Sequence, residues 1–143
     1  MDRWHRSTSL FRSVALCAPV RRSAANSLVA EQFTLATHWV DHIVAEKHGG
    51  QTEEGNLALS CVLYNQRKGS DLTSIDPQTG QITPLFHPRR DRWPDHFRLV
   101  GACIEPLTPA GRVTVRLLQL NHPGRIEERE LMLRLGLLPP GQA

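Results

Sequence analysis

The stretch that decides the fold runs from Val40 to Gly69 and reads VDHIVAEKHGGQTEEGNLALSCVLYNQRKG. Residues 37–44, THWVDHIV, are rich in Trp, Val and Ile, which predicts a strand. A glycine-containing loop then separates this strand from a second short one over residues 56–60. Residues 61–68 predict a short helix that stops at the glycine. The predicted order is therefore strand, loop, strand, helix.

Four polar residues occur in this stretch at characteristic separations. Asp41 and His42 lie inside the first predicted strand, among mostly apolar neighbours. Asn56 follows His42 after 13 residues, and Asn65 follows Asn56 after eight more. Taken singly, each has an ordinary structural explanation, such as a turn, a cap or a buried polar contact. Only the four together, on one strand–loop–strand–helix frame, indicate a site.

This combination resembles the HNH endonuclease motif, in the variant whose third motif residue is asparagine. The pieces that carry the resemblance are Asp41-His42-Ile43, the Gly49-Gly50 loop, Asn56-Leu57-Ala58-Leu59 and the ending Asn65-x-x-Lys68-Gly69. The resemblance implies an α+β fold with a ββα-metal (His-Me finger) core, extended by additional β-hairpins and two C-terminal helices. It also implies a metal-dependent endonuclease that hydrolyses phosphodiester bonds in nucleic acid, in DNA rather than RNA.

The resemblance assigns a role to each motif residue. His42 would be the general base, because a neutral imidazole can take a proton from water near neutral pH. Asp41 and Asn65 would hold one divalent cation, and their oxygen atoms suit Mg²⁺. Asn56 would brace the loop by side-chain hydrogen bonds and so hold His42. We therefore count Asn56 with His42 among the catalytic residues, although its role would be mainly structural.

The sequence beyond residue 69 predicts two hairpins. The run Asp76-Pro77-Gln78-Thr79-Gly80 predicts a turn between strands near residues 72–75 and 81–85. A second pair, over residues 97–100 and 103–106, would turn at Gly101-Ala102. The intervening residues 86–95 are predicted to be irregular.

Two helices are predicted after the hairpins. Thr108-Pro109 should open the first, which runs to about residue 120. The second should extend from Pro123 to Leu135, with Gly136 as its stop. The apolar contacts are expected from Val113, Leu117 and Leu120 on the first helix and from Leu131, Met132 and Leu135 on the second.

The basic residues suit a nucleic-acid partner. The formal net charge is +3, and Lys47 and Lys68 are the only lysines among the 17 basic residues, so 15 are arginine. A guanidinium can bind phosphate with two donors at once. The candidate contacts to nucleic acid are Lys68, Arg67, Arg89 and Arg90. The alternative is that Lys68 is an ordinary helix-terminal cation and the arginines near residue 90 form an exposed charged loop.

The cysteines argue against both disulfides and zinc. Cys17, Cys61 and Cys103 are odd in number and widely spaced, which fits a cytoplasmic protein. Relatives in one bacterial HNH subgroup carry two Cys-x-x-Cys pairs of the kind that hold zinc. Here one pair is absent and the other reads Cys61-Val62-Leu63-Tyr64. We therefore predict no structural zinc, with Tyr64 filling the space.

We expect a divergent, poorly ordered N-terminal arm over residues 1–30 and one nuclease domain over residues 31–143. The domain would have its core at 37–70 and a C-terminal extension at 71–143. No apolar run approaches the roughly 18 residues of a membrane span, so no membrane partner is expected. The alternatives to an active nuclease are a catalytically decayed HNH-fold module that only binds nucleic acid, and a zinc-binding structural protein. Oligomeric state is left open.

Overall fold

The computed structural model describes residues 38–136. The predicted N-terminal arm therefore lies outside the described residues, and the division into an arm and one nuclease domain stays a prediction. Within the described part, helices alternate with short antiparallel strand pairs, which confirms the predicted α+β class.

The strands are β1 (His38–His42), β2 (Leu57–Cys61), β3 (Thr73–Ile75), β4 (Ile82–Pro84), β5 (Phe97–Val100) and β6 (Cys103–Pro106). The helices are α1 (Val62–Lys68), α2 (Trp93–His96), α3 (Pro109–Leu118) and α4 (Pro123–Arg134). Two short 3₁₀ turns, Glu46–His48 and Glu54–Asn56, lie between β1 and β2. Within residues 38–136 the strands form three separate antiparallel pairs, β1 with β2, β3 with β4 and β5 with β6.

The predicted order of strand, loop, strand and helix is confirmed for β1, β2 and α1. The register pairs His42 with Leu57 at the loop end of the hairpin. Helix α1 follows β2 directly and ends where Gly69 takes a left-handed φ of +52°. The N–H of Gly69 still donates to the carbonyl oxygen of Asn65, over 2.8 Å. A glycine is suited to this position because other residues are strained at positive φ.

The two predicted hairpins are also confirmed. The segment between them, however, was predicted to be irregular and contains the four-residue helix α2. One turn of helix is too short to show an apolar period, and Pro94 is tolerated there because the first turn needs no N–H partner. The sequence pattern therefore hides it.

Helix α3 begins as predicted, since the Thr108 hydroxyl accepts a hydrogen bond from the N–H of Gly111. It ends two residues earlier than expected, because Gln119 takes a left-handed φ of +51°. Val113 and Leu118 are the buried valine and leucine of α3, and Leu120, which follows the end of the helix, is buried as well.

The predicted apolar face of α4 is wrong in part. Met132 is buried, but Leu131 and Leu135 are exposed. Arg129 occupies the interior instead and donates to the carbonyl oxygens of Ala102 and Leu120, over 2.6 and 2.8 Å. These main-chain acceptors satisfy the buried guanidinium, so a charged residue takes a position that periodicity would give to leucine.

The core joins the first helix to the later hairpins. Its buried cluster comprises Tyr64, Phe86, Phe97, Ile104, Leu118 and Leu120. Tyr64, which we predict to fill the space of a missing cysteine, is only 1% exposed within it. None of the helices in residues 38–136 has the length and hydropathy of a membrane span.

Candidate functional site

Asn56 closes the loop that follows β1. Its side-chain oxygen accepts from the N–H of Val44, and its side-chain nitrogen donates to the carbonyl oxygens of Val44 and Gln51, each over 2.9 Å. The residue is only 8% exposed, so these bonds are largely shielded from water. They fix the backbone immediately after His42.

Gly50 makes this tight loop possible. A Cβ atom at residue 50 would lie 1.8 Å from the carbonyl oxygen of Val44 and 2.9 Å from the side-chain nitrogen of Asn56. Any other amino acid would push apart the chain segments that Asn56 joins. The Gly-Gly pair in the sequence therefore marks a close approach of two backbones.

The imidazole of His42 is held from the same loop. Its Nε2 lies 2.8 Å from the hydroxyl oxygen of Thr52. That hydroxyl in turn donates to a carboxylate oxygen of Glu46 over 3.4 Å. The carboxylate also lies 3.9 Å from Nε2 of His42. Sequence reasoning missed Thr52 and Glu46, because neither belongs to a recognisable motif.

Asp41, His42 and Lys68 line one cleft, whose open space measures about 460 Å³. Part of its apolar lining comes from the segment after β4, with Leu85, Phe86 and Pro88. The first strand and the end of α1 thus bring a carboxylate, an imidazole and an ammonium group to the same depression.

Asn65 is not among the residues that line this cleft. It is half-buried on α1, three positions before Lys68. Residues three apart are neighbours on a helix surface, so Asn65 and Lys68 share one face. The structure therefore brings three of the predicted site residues to one cleft, while Asn65 lies on the helix that carries Lys68 and does not line the cleft.

Lys68 sits in a mixed electrostatic environment. Burial lowers the pKa of its ammonium group, while the negative charges of Asp41 and Asp71 act in the opposite direction. The interaction with Asp41 places positive charge next to the carboxylate that the motif assigns to a metal.

The other candidate contacts to nucleic acid have different surroundings. Arg67 donates from Nη1 to the carbonyl oxygen of Leu118 at the end of α3, over 3.1 Å. Arg89 donates from Nε to the carbonyl oxygen of Leu57, over 2.7 Å. Arg90, in contrast, is exposed. No local pattern in the sequence could reveal the contact between residues 89 and 57, which are 32 positions apart.

The donor set near the cleft suits a hard cation with few protein ligands. A carboxylate on Asp41 and an amide oxygen on Asn65 are ligands of the kind that Mg²⁺ accepts while it keeps several waters. In residues 38–136, no group of three or more His, Cys, Asp or Glu side chains converges on one point. Cys103 is free and exposed. The absence of structural zinc stays a prediction.

Comparison with known proteins bears on the same part of the chain. Residues 30–71 match the family model described as HNH endonuclease. Comparisons with curated proteins and with solved structures found no match. The matched range contains all four motif residues, the β1–β2 hairpin and α1. The relationship to the subgroup with paired cysteines stays a prediction. Residues 30–71 therefore belong to the HNH endonuclease family, as the motif indicates.

Proposed function

We propose that the chain is a metal-dependent endonuclease that hydrolyses phosphodiester bonds in DNA. The observation that carries this proposal is the shared cleft of Asp41, His42 and Lys68 inside the HNH segment. The order of β1, β2 and α1 supports a ββα-metal core for this segment.

His42 is the general base in this mechanism. We assign to His42 the tautomer in which Nε2–H donates to the Thr52 hydroxyl, 2.8 Å away, while that hydroxyl donates to Glu46. This arrangement leaves Nδ1 as the nitrogen that can take a proton from the attacking water. Asn56 supports the base indirectly, because its three hydrogen bonds hold the backbone next to His42.

Asp41 and Asn65 would hold one divalent cation, for which we propose Mg²⁺. When bound, the cation supplies positive charge that stabilises the leaving oxygen. Lys68, which faces the same cleft, contributes a second positive charge that can contact the phosphate. Its proximity to Asp41 also keeps the net charge of the depression from becoming strongly negative, which would repel DNA.

Contacts to the DNA backbone outside the cleft would come from Arg90 and Arg67. Arg90 is exposed, and Arg67 keeps donors beyond the one that binds Leu118. Arg89 has a different environment, since its Nε is bound to a main-chain carbonyl. We therefore assign Lys68 and Arg90 the main contacts to phosphate.

A nicking assay with supercoiled plasmid tests the proposal. The purified full chain should nick the plasmid with Mg²⁺ and not with EDTA. His42→Ala should reduce the rate at least about 100-fold, since it removes the general base. His122→Asn is the matched control, because residue 122 is exposed and caps α4, and asparagine preserves a cap.

Unchanged Mg²⁺-dependent nicking by His42→Ala would exclude His42 as the base. Salt-dependent DNA binding without any cleavage by the wild-type chain would instead identify a decayed, binding-only module.

A further inference from the structure

Arg89 connects the C-terminal part of the chain to the β1–β2 hairpin. Its Nε donates to the carbonyl oxygen of Leu57 over 2.7 Å. Leu57 is the first residue of β2 and lies opposite His42 in the strand register. The guanidinium thus reaches the strand position directly across from the proposed base.

The hydrogen-bond pattern of the hairpin explains why this carbonyl is available. The N–H of Ile43 donates to the carbonyl oxygen of Asn56 over 2.8 Å. Bonded and non-bonded pairs alternate in an antiparallel ladder, so His42 and Leu57 form a non-bonded pair. The carbonyl of Leu57 therefore points to the outer edge of the hairpin, where Arg89 binds it.

A non-bonded pair also brings its two side chains close together on one face of the hairpin. Leu57 is only 3% exposed, and the register places its side chain opposite that of His42. Any rotation of the Leu57 peptide would displace the Leu57 side chain. The bond from Arg89 restrains this rotation.

The rest of the Arg89 guanidinium is poorly placed to bind a phosphate at the surface. Its Nη1 is buried and has no hydrogen-bond partner within the described part of the chain. An unpaired buried donor costs free energy, so an apolar side chain of similar length would suit stability better. The hydrogen bond from the guanidinium to Leu57 therefore needs a functional reason.

We propose that Arg89 is a positioning residue for His42, which acts through its Nε–H on the carbonyl of Leu57. The kinetic consequences rest on the proposed function, because His42 is the base in that function. The hydrogen bond between Arg89 and Leu57 does not depend on the proposed function.

Two substitutions of Arg89 distinguish the positioning of His42 from a contact with phosphate. Arg89→Gln places an amide nitrogen the same number of bonds from the backbone as Nε and omits the buried Nη1. Arg89→Met has a similar length and no donor. Arg92→Met is the matched control, because it removes an exposed guanidinium from the same segment.

Arg89→Met should lower kcat for plasmid nicking about 10-fold to 100-fold and leave KM within about twofold, because the base is displaced while DNA binding persists. Arg89→Gln should recover most of that loss. Arg92→Met should change neither constant beyond about twofold. A contact to phosphate depends on the positive charge, so a neutral donor would not produce this rescue.

Three results would overturn the proposal. The first is a wild-type kcat for Arg89→Met. The second is equal weakening of DNA binding by Arg89→Met and Arg89→Gln, together with a slope of log affinity against log salt concentration that is smaller by about 1. That result would make Arg89 a phosphate contact. If Arg89→Met does not fold, Arg89→Lys replaces it, since lysine keeps the charge and has carbon at the Nε position. The third overturning result is a wild-type kcat for Arg89→Lys.

A readout without cleavage keeps this test independent of the proposed function. The ¹⁵N resonances of the His42 imidazole, assigned by their loss in His42→Ala, should shift in Arg89→Met and return in Arg89→Gln. Unchanged resonances in Arg89→Met would refute the positioning role. An inactive wild-type chain would refute the nuclease proposal and leave this measurement interpretable.

Discussion

The buried carboxylate of Asp76 accepts two hydrogen bonds from the guanidinium of Arg112, over 2.8 and 2.7 Å. The N–H of Gln78 and the hydroxyl of Thr79 donate to the same carboxylate. Asp76 is 0% exposed, so the pair links the β3–β4 turn to α3 away from water. One side chain thereby shapes the turn and attaches it to the helix.

This pairing makes stability depend on pH. The hydrogen bond from Arg112 holds the pKa of Asp76 well below its usual range, against the opposing effect of burial. A depressed pKa means that the unfolded chain takes up the proton first as the pH falls. The stabilisation is therefore complete above about pH 4 and is lost progressively below it.

Asp76→Asn should lower the melting temperature by more than about 5 °C at pH 7, because it leaves the Arg112 charge unpaired. The difference in melting temperature between this variant and the wild type should become smaller as the pH falls below about 4. Thermal unfolding followed by circular dichroism from pH 2 to pH 7 measures both. Asp71→Asn, at an exposed residue, is the control. A gap that does not change with pH would contradict the assignment.

The loop after β1 should distinguish sharply between its glycines. Gly50→Ala forces a Cβ against the carbonyl oxygen of Val44, so the loop must open. We expect a melting temperature lower by at least about 5 °C, with loss of nicking activity. Gly55→Ala has no atom within 4 Å of the new Cβ and should stay within about 2 °C of the wild type. Equal behaviour of the two variants would show that the close approach is absent in solution.

Asn56→Ala should destabilise the chain by about 3 kcal/mol, because three main-chain groups lose their partner in a shielded loop. Urea unfolding gives the free energy of unfolding directly. Gln51→Ala is the control, since its exposed side chain makes only a 3.4 Å contact with the carbonyl oxygen of Gly49. It should cost less than about 0.5 kcal/mol. A loss of similar size in both variants would mean that Asn56 does not brace the loop.

Asp41→Asn should weaken the affinity for the divalent cation and have a smaller effect on the free energy of unfolding. We expect the Mg²⁺ concentration for half-maximal nicking to rise at least about tenfold, because a charged ligand becomes neutral. Asn65→Ala should act in the same direction. Asp71→Asn removes a negative charge near Lys68 without removing a proposed ligand, so it controls for charge alone. An unchanged Mg²⁺ requirement in Asp41→Asn would exclude Asp41 as a ligand.

The sequence predicts the local parts of this fold well. The ending of α1 at Gly69, the turn that starts at Asp76 and the cap at Thr108 each follow from the chemistry of one or two adjacent residues. Hydrophobic periodicity fails where polar groups enter the interior, as Arg129 does on α4, because its carbonyl partners lie outside the helix, nine and 27 residues away.

The candidate site shows the same division. The motif identifies Asp41 and His42, and the structure places both in one cleft with Lys68. The hydroxyl of Thr52 beside His42, and the contact from Arg89 to β2, arise only when the loop and the later segment fold against the β1–β2 hairpin. Such contacts depend on tertiary geometry, so the residues that make them have no characteristic separation in the sequence.

Each described strand pairs with the strand next to it along the chain, and this has a kinetic consequence. Closing such short connections costs little chain entropy, so the hairpins can nucleate independently and early. The long-range link from Arg89 to β2 should then form after the rate-limiting step. Any effect of Arg89→Met on stability should accordingly appear in the unfolding rate and leave the refolding rate almost unchanged, which stopped-flow fluorescence can measure.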